Sequence, residues 1–285
     1  MAKPKGIILT GSSGYLGSQL LKFFDPNLFI ICKNKSFTAS EPIFFSHEGK
    51  VIQNITSKFS SFTIVHLATY FSKKTEDTKL IYDANINYGN RLLKNTEHLN
   101  IDKFIYTNTM FGFYKNPKIR ELDYTKTKLE FSKILMKYSY KNNVPVDEIF
   151  LDNTFGGNDQ RDKIIPNIAL SVLNNSPSPV VNKDTFINLI YFKDVLKRIT
   201  NSINNEIKGS TAFINSKTVN VQSIYEYLSH FYKTKNSNVD LLKYGLNNFI
   251  EEQPKINYFD NEISDIGEKL IFYLNNLTKL NNMKF

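Results

Sequence analysis

The chain has 285 residues, 41% hydrophobic and 22% charged, which excludes an intrinsically disordered or collagen-like protein. Its single cysteine, Cys32, excludes an internal disulfide, and four scattered histidines without CxxC or HExxH spacing argue against a metal site. The charge is 36 − 27 = +9, spread rather than blocked, which suits small phosphorylated ligands and offers no basic stripe for nucleic acid.

The first residues, MAKPKGIILT, form too short an apolar run for a secretory segment. No stretch reaches the ~18 apolar residues of a membrane span, so a cytoplasmic protein without a span is expected. Gly6 to Thr10 predicts a buried strand. Leu16, Leu20, Leu21 and Phe24 then recur at helical spacing until Asp25-Pro26 stops them. Leu28 to Cys32 and Phe62 to Ala68 predict further strands, followed by a long helix over 76–99, a strand at Lys103 to Thr107, a second long helix over 121–143 and a strand at Val146 to Leu151. Thr154 to Asp162, rich in Gly, Asn and Asp, reads as a loop. Phe186 to Phe192 is a late apolar run, a helix begins at Asp194, and another covers Val219 to Tyr232. The Asn- and Lys-rich tail is the least patterned part. Strands alternating with helices predict an α/β fold, a Rossmann-type doubly wound parallel sheet with a smaller C-terminal lobe.

The strongest local signal is Gly11-Ser-Ser-Gly14-Tyr-Leu-Gly17, directly after the first strand and opening the first helix. Glycine allows positive φ and leaves no Cβ to obstruct a pyrophosphate, which a helix start then attracts. Tyr124 and Lys128 lie four apart, so on a helix they share a face. A neighbouring ammonium stabilises a phenolate and lowers its pKa from about 10, producing a tyrosine able to exchange protons near neutrality.

In this order the motifs resemble the extended short-chain dehydrogenase/reductase family, also called the NAD-dependent epimerase/dehydratase family. Val65-His-Leu-Ala68, Asn85 to Leu93, Tyr124 to Lys128, Asn153 to Gly156 and Tyr191 to Asp194 carry the resemblance, which extends to about residue 230. It implies a cofactor site of Gly11, Ser13, Gly14, Tyr15, Leu16, Gly17, Leu67, Ala68, Thr69 and Thr107, with Tyr124 and Lys128 completing it. Tyr124, Lys128 and a threonine are implied as catalytic. Strand register assigns that threonine to Thr109, whereas alignment on Phe111-Gly112 assigns it to Thr107. Lys33, Asn34 and Lys35 stand where NAD-preferring members carry an acid, so NADP (as NADPH) is expected, with NAD the alternative.

The resemblance further implies that residues 1–155, joined by roughly 185–210, bind NADP, and that 156–184 with 211–285 form the substrate-binding lobe. Tyr70, Asn153 and Arg161 are the implied substrate-binding residues. Arg161 or Lys163 would replace an arginine that many members use to grip the nucleotide diphosphate, because Ile187-Asn188-Leu189 stands there. Thr109 is followed by Met110-Phe111 and not by the Asp-Glu pair of the 4,6-dehydratases, which disfavours that chemistry. Within the family, His66 to Phe71 and Asp152 to Gly156 look most like CDP-paratose and CDP-abequose synthases. The expectation is an NADPH-dependent reductase of a nucleotide-linked 4-keto-6-deoxy (or 3,6-dideoxy) hexose for surface polysaccharide. The alternatives are a 4-epimerase with bound NAD and a non-catalytic NADP-sensing regulator. A homodimer through the two long helices is also implied.

Overall fold

The computed structural model describes residues 3–33, 43–46, 49–206, 209–213, 217–246, 257–259 and 266–282. In chain order the elements begin β1 (Lys5–Thr10), α1 (Tyr15–Leu20), β2 (Phe29–Lys33), β3 (Ile43–Phe45), β4 (Ser61–His66), α2 (Thr78–Tyr82) and α3 (Tyr88–Thr96). They continue with β5 (Ile101–Thr109), α4 (Pro117–Arg120), α5 (Asp123–Asn142), β6 (Val146–Leu151), β7 (Asn153–Phe155) and α6 (Ile164–Leu173). The last are β8 (Phe186–Ile187), β9 (Leu189–Tyr191), α7 (Phe192–Ile203), β10 (Thr211–Phe213), β11 (Lys217–Asn220), α8 (Val221–Thr234), β12 (Tyr244–Leu246), β13 (Asn257–Phe259) and α9 (Ile266–Asn282).

Two compact units emerge. One comprises Met1–Phe150, Leu196–Ala212 and Phe249–Asn257; the other comprises Leu151–Val195, Phe213–Asn248 and Tyr258–Phe285. Residues 185–195, placed with the first domain from sequence, therefore group with the second unit.

Among the described residues the main sheet runs β13-β10-β6-β5-β4-β1-β2-β3. β1 pairs parallel with β2 on one side and β4 on the other, β4 pairs parallel with β5, β10 with β6, and β3 closes the edge antiparallel to β2. The chain order thus reverses at β1, the switch point where such sheets bind ligands beyond their strand ends. Ile8, Ile30, Phe62, Ile64 and Phe104 form a continuous core with Leu92, Phe131 and Leu135 from the covering helices. Burial on both faces explains why these strands read as apolar runs and not as alternating patterns.

The second unit holds a small sheet, β12-β11-β8, and the parallel pair β7-β9. β7 lies partly in the stretch expected to be a loop, because Asn153, Thr154 and Phe155 pair in register with Leu189, Ile190 and Tyr191. The late apolar run at 186–192 divides into β8 and β9, and α7 starts at Phe192, two residues before the expected helix start at Asp194. The tail carries a 17-residue helix, α9, whose buried Ile266, Leu270, Tyr273, Leu274 and Leu277 recur at helical spacing. The expected helix over 76–99 is helical in pieces: a 3-10 turn at Thr75–Asp77, α2, a π turn at Asp83–Asn87, and α3. α1 is six residues long, shorter than the apolar spacing suggests.

Candidate active site

The turn after β1 is shaped by contacts that leave no room for side chains. Gly11 has φ +70°, and a Cβ there would lie 2.7 Å from the Ala68 nitrogen. At Gly17 a Cβ would lie 2.1 Å from the Gly11 carbonyl oxygen, which closes the turn tightly against the start of α1. Gly14 differs: the Gly11 oxygen, at 3.2 Å, is all that its Cβ would meet within 4 Å. Its N–H donates to that same oxygen at 2.9 Å. Ser13 and Gly14 are exposed, Tyr15 and Leu16 half-buried. The loop thus has a packed side and an open side, and the open side fits a pyrophosphate approaching the backbone.

Thr10 ties this loop to the end of β4. Its hydroxyl accepts the Ala68 N–H at 3.2 Å and lies 2.8 Å from His66 Nδ1. His66 is fully buried, stacked 5.7 Å from Tyr106. Burial, reinforced by the Lys128 charge, lowers its pKa to about 3, so the imidazole is neutral at ordinary pH.

Asn85, in the π turn, joins the next loop to α5. Its Oδ1 accepts from the Thr69 hydroxyl and the Tyr70 N–H, both at 2.9 Å. Its Nδ2 donates to the Tyr70 carbonyl at 3.3 Å and to Thr127 Oγ1 at 3.0 Å. All four bonding positions of a buried amide are used, so the segment Thr69-Tyr70 and the first turns of α5 are held as one body. Tyr70 is half-buried, and its hydroxyl donates to Asp77 at 3.4 Å.

Tyr124 sits half-buried in the first turn of α5, between the rings of Phe71 (4.9 Å) and Phe111 (6.3 Å), edge-on to both. Lys128, one turn later, is buried with its ammonium 4.1 Å above the Tyr106 ring. Burial lowers its pKa to about 7 while the Glu148 charge works the other way. Thr107 and Thr109 are both buried at the end of β5 and, two apart, share one face. The Thr109 hydroxyl accepts the Phe111 N–H at 3.3 Å, capping the short turn that carries Phe111 to Tyr124. The glycine loop, Leu67 to Tyr70 and the Tyr124/Lys128 pair are therefore linked by contacts inside the first unit. The Lys33 side chain, Asn34 and Lys35 lie outside the described residues.

In the second unit, Asn153 donates to the Asp152 carboxylate at 2.7 Å and to the Asn188 carbonyl at 3.3 Å. Arg161 closes a two-pronged pair on buried Asp159, Nε at 2.7 Å and Nη2 at 2.8 Å, and also donates to the Thr154 carbonyl at 3.0 Å. Its charge is thus answered within its own loop.

Sequence reasoning gave no role to Thr10, His66, Asn85, Phe71 or Phe111. A usable signal existed for Asn85, a polar residue amid the apolar positions of an expected helix. The Thr10–His66 contact shows only once β1 and β4 pair with these two residues in register.

The sequence profile described as the NAD dependent epimerase/dehydratase family matches residues 7–213. The chain belongs to this family. Among curated members, CDP-abequose synthase of Salmonella muenchen is 26% identical over 198 residues, covering 67% of this chain and 68% of that protein. The Salmonella typhimurium CDP-abequose synthase is 25% identical over 183 residues, covering 61% of each. Among solved family folds, UDP-N-acetylglucosamine 4-epimerase from Methanobrevibacter ruminantium, in complex with UDP-N-acetylmuramic acid, has a TM-score of 0.70 at 17% identity, over 98% of this chain and 99% of that one. UDP-glucuronic acid 4-epimerase from Bacillus cereus, in complex with UDP-glucuronic acid and NAD, has 0.69 at 15%, over 97% and 99%. These likenesses establish the extended short-chain dehydrogenase/reductase fold, as the motifs implied. Among the described residues no helix is long and apolar enough to cross a membrane.

Proposed function

We propose that the protein is an NADPH-dependent reductase of a nucleotide-linked 4-keto-6-deoxy, or 3,6-dideoxy, hexose, serving surface polysaccharide synthesis in the cytoplasm. The observation that carries this reading is the apolar wall at Tyr124. Thr109 leads into Met110-Phe111 where a dehydratase needs an acid and a base, and the Phe111 and Phe71 rings flank the phenol. Such a wall packs against carbons stripped of hydroxyls and holds nothing to remove a C5 proton. The likeness to CDP-abequose synthases supports the same substrate class.

In this reading Ser13 and Gly14 offer the open side of the loop to the cofactor pyrophosphate, and Lys33 and Lys35 answer the 2′-phosphate. The chemistry that NADPH supplies when bound is a hydride for the sugar's C4. Thr109 donates a hydrogen bond to the C4 oxygen and Tyr124 delivers the proton to it. Lys128, charged and shielded from water, lowers the cost of the phenolate left behind. Tyr70, Asn153 and Arg161 are the proposed substrate contacts, and Arg161, already matched by Asp159, would contribute directional hydrogen bonding more than net charge. A homodimer through α2, α3 and α5 belongs to the same proposal.

The test is NADPH oxidation with CDP- and dTDP-4-keto-6-deoxyhexoses. Stoichiometric oxidation with a 4-hydroxy product supports the reading. Isomerisation of a nucleotide sugar without net oxidation would make the protein an epimerase instead. Lys33→Asp should weaken NADPH binding far more than NADH binding, and equal losses would remove the 2′-phosphate assignment.

A further inference from the structure

Glu148 is a buried carboxylate, 4% exposed, in the otherwise apolar end of β6. Its Oε1 accepts from Asn108 Nδ2 at 2.7 Å, and the Ser132 hydroxyl also bonds it. Asn108 in turn accepts the Thr109 N–H on its Oδ1 at 2.8 Å. Two hydrogen bonds in series therefore run from this carboxylate to the backbone of the threonine at the strand end. Tyr106, two residues before Asn108 on the same face of β5, carries the Lys128 ammonium above its ring and donates its hydroxyl to the Lys128 carbonyl at 3.2 Å. Carboxylate, amide, aromatic ring and ammonium thus share one side of the sheet, beneath α5.

We propose that Glu148 is a positioning residue of the candidate active site, keeping Lys128 charged beneath Tyr124 and, through Asn108, fixing the main chain at Thr109. The proposal rests on the roles given above to Tyr124, Lys128 and Thr109. A glutamine could still accept from Asn108 through its Oε1 without burying a charge, so the charge is the main thing glutamate adds here. The charge that acts on it is that of Lys128, on α5. The other titratable neighbours bring no competing charge at neutral pH: His66 on β4 is held neutral, and burial keeps the Tyr106 phenol on β5 protonated. Tyr124, on α5, is the residue served, and burial keeps Tyr88 on α3 and Cys32 on β2 protonated as well. Asp147, adjacent on β6, faces the opposite side of the sheet, where Lys103 and Arg198 answer it. Burial alone drives Lys128 toward the neutral amine, and the Glu148 charge opposes that loss. The Lys128 charge in turn helps to keep Glu148 ionised against its own burial.

The experiment compares full-length wild type, Glu148→Gln and Glu148→Asp. Lysines are labelled with 13C at Cε, the Lys128 resonance is identified by its loss in Lys128→Met, and its titration is followed by NMR without substrate. In Glu148→Gln the Lys128 midpoint should fall by about one pH unit or more, and the pH optimum for keto-sugar reduction should move to acid with it. Glu148→Asp, retaining the charge, should stay nearer the wild type and keeps the test open should the glutamine variant fold poorly. An unmoved Lys128 titration would overturn the proposal even if turnover fell, since loss without that shift means structural damage. If wild type reduces no keto sugar, the reductase reading fails, and the lysine titration still judges Glu148.

Discussion

Asp147 and Glu148 are neighbours on β6, both buried, and strand alternation sends them to opposite faces of the sheet. On its face Asp147 meets Lys103 Nζ at 3.1 Å and Arg198 Nη1 at 4.0 Å. It also accepts the Gly209 N–H at 2.6 Å and the Ser202 hydroxyl. Lys103 donates further to the Ser202 carbonyl, and Arg198 to Thr211 and the Gly209 carbonyl. The cluster is tied to α7 and the approach to β10, with Arg198 Nη1 held near Asp147 by charge and not by a hydrogen bond. Glu148 meets neutral hydrogen-bond donors and a lysine that itself titrates near neutrality. One carboxylate is held by a close ion pair with Lys103 and by the Gly209 and Ser202 donors, and serves the fold. The other is left adjustable beside the candidate catalytic residues.

The largest effect should fall on the Glu148 side and on rate alone. Tyr124→Phe removes one phenolic oxygen from a half-buried position, so turnover should drop about 10²–10⁴-fold with the urea midpoint nearly unchanged. Near-wild-type turnover would remove the reactive character of this face. Asp147→Asn should do the reverse, stranding two buried cations at a loss of about 3–5 kcal/mol of stability with turnover per folded molecule retained. A loss of turnover as large as that of Tyr124→Phe, with stability intact, would break the division between the faces.

The titrating side should also show itself in stability against pH. His66 has a folded pKa of about 3 against 6.5 unfolded, so the unfolded chain binds more protons between these values. Stability from this group is complete above pH 6.5 and is lost as pH falls toward 3, by up to about 1.4 kcal/mol per pH unit. Lys128, about 7 folded against 10.5 unfolded, should make stability rise with pH across that upper window. Calorimetry on His66→Asn and Lys128→Met should find the acid and alkaline slopes flattened in turn, and unchanged slopes would mean these groups titrate normally in the folded chain. The smallest effect separates packed from open surface within the glycine loop. Gly14→Ala should alter stability by no more than about 0.5 kcal/mol while weakening NADPH binding, whereas Gly17→Ala, with its Cβ 2.1 Å from a carbonyl oxygen, should destabilise clearly. Equal melting temperatures for the two would show that the loop has no packed side.

Much of the first unit was legible because its signals are local. Gly6 to Thr10, Lys103 to Thr107 and Val146 to Leu151 were readable as strands from their short apolar stretches, the last in spite of its acidic pair, and β1, β5 and β6 contain or match them. α5 follows the expected helix over 121–143 and ends at Asn143, whose φ of +52° closes it. The second unit was less legible. β7 is three residues long and exists through its pairing with β9, some 35 residues away, and a segment so short has too little periodicity to declare itself. α9 did carry a helical repeat, hidden by the Asn and Lys residues of its exposed face.

The sequence alone determined that strands alternate with helices, that a glycine turn follows the first strand, and that Tyr124 and Lys128 share a helix face, since each depends on a spacing of a few residues. Sheet order and register decided the rest. They set Thr10 beside His66, Asn85 between Tyr70 and Thr127, and Asn108 against Glu148, bringing together groups 56, 42 and 40 residues apart at their longest separations. They also put Asp147 and Glu148 in opposite surroundings, although the sequence writes them as one acidic pair. Spacing along a chain determines which way a side chain faces; the groups it meets there, and hence its charge and its chemistry, depend on which distant strand the sheet places alongside.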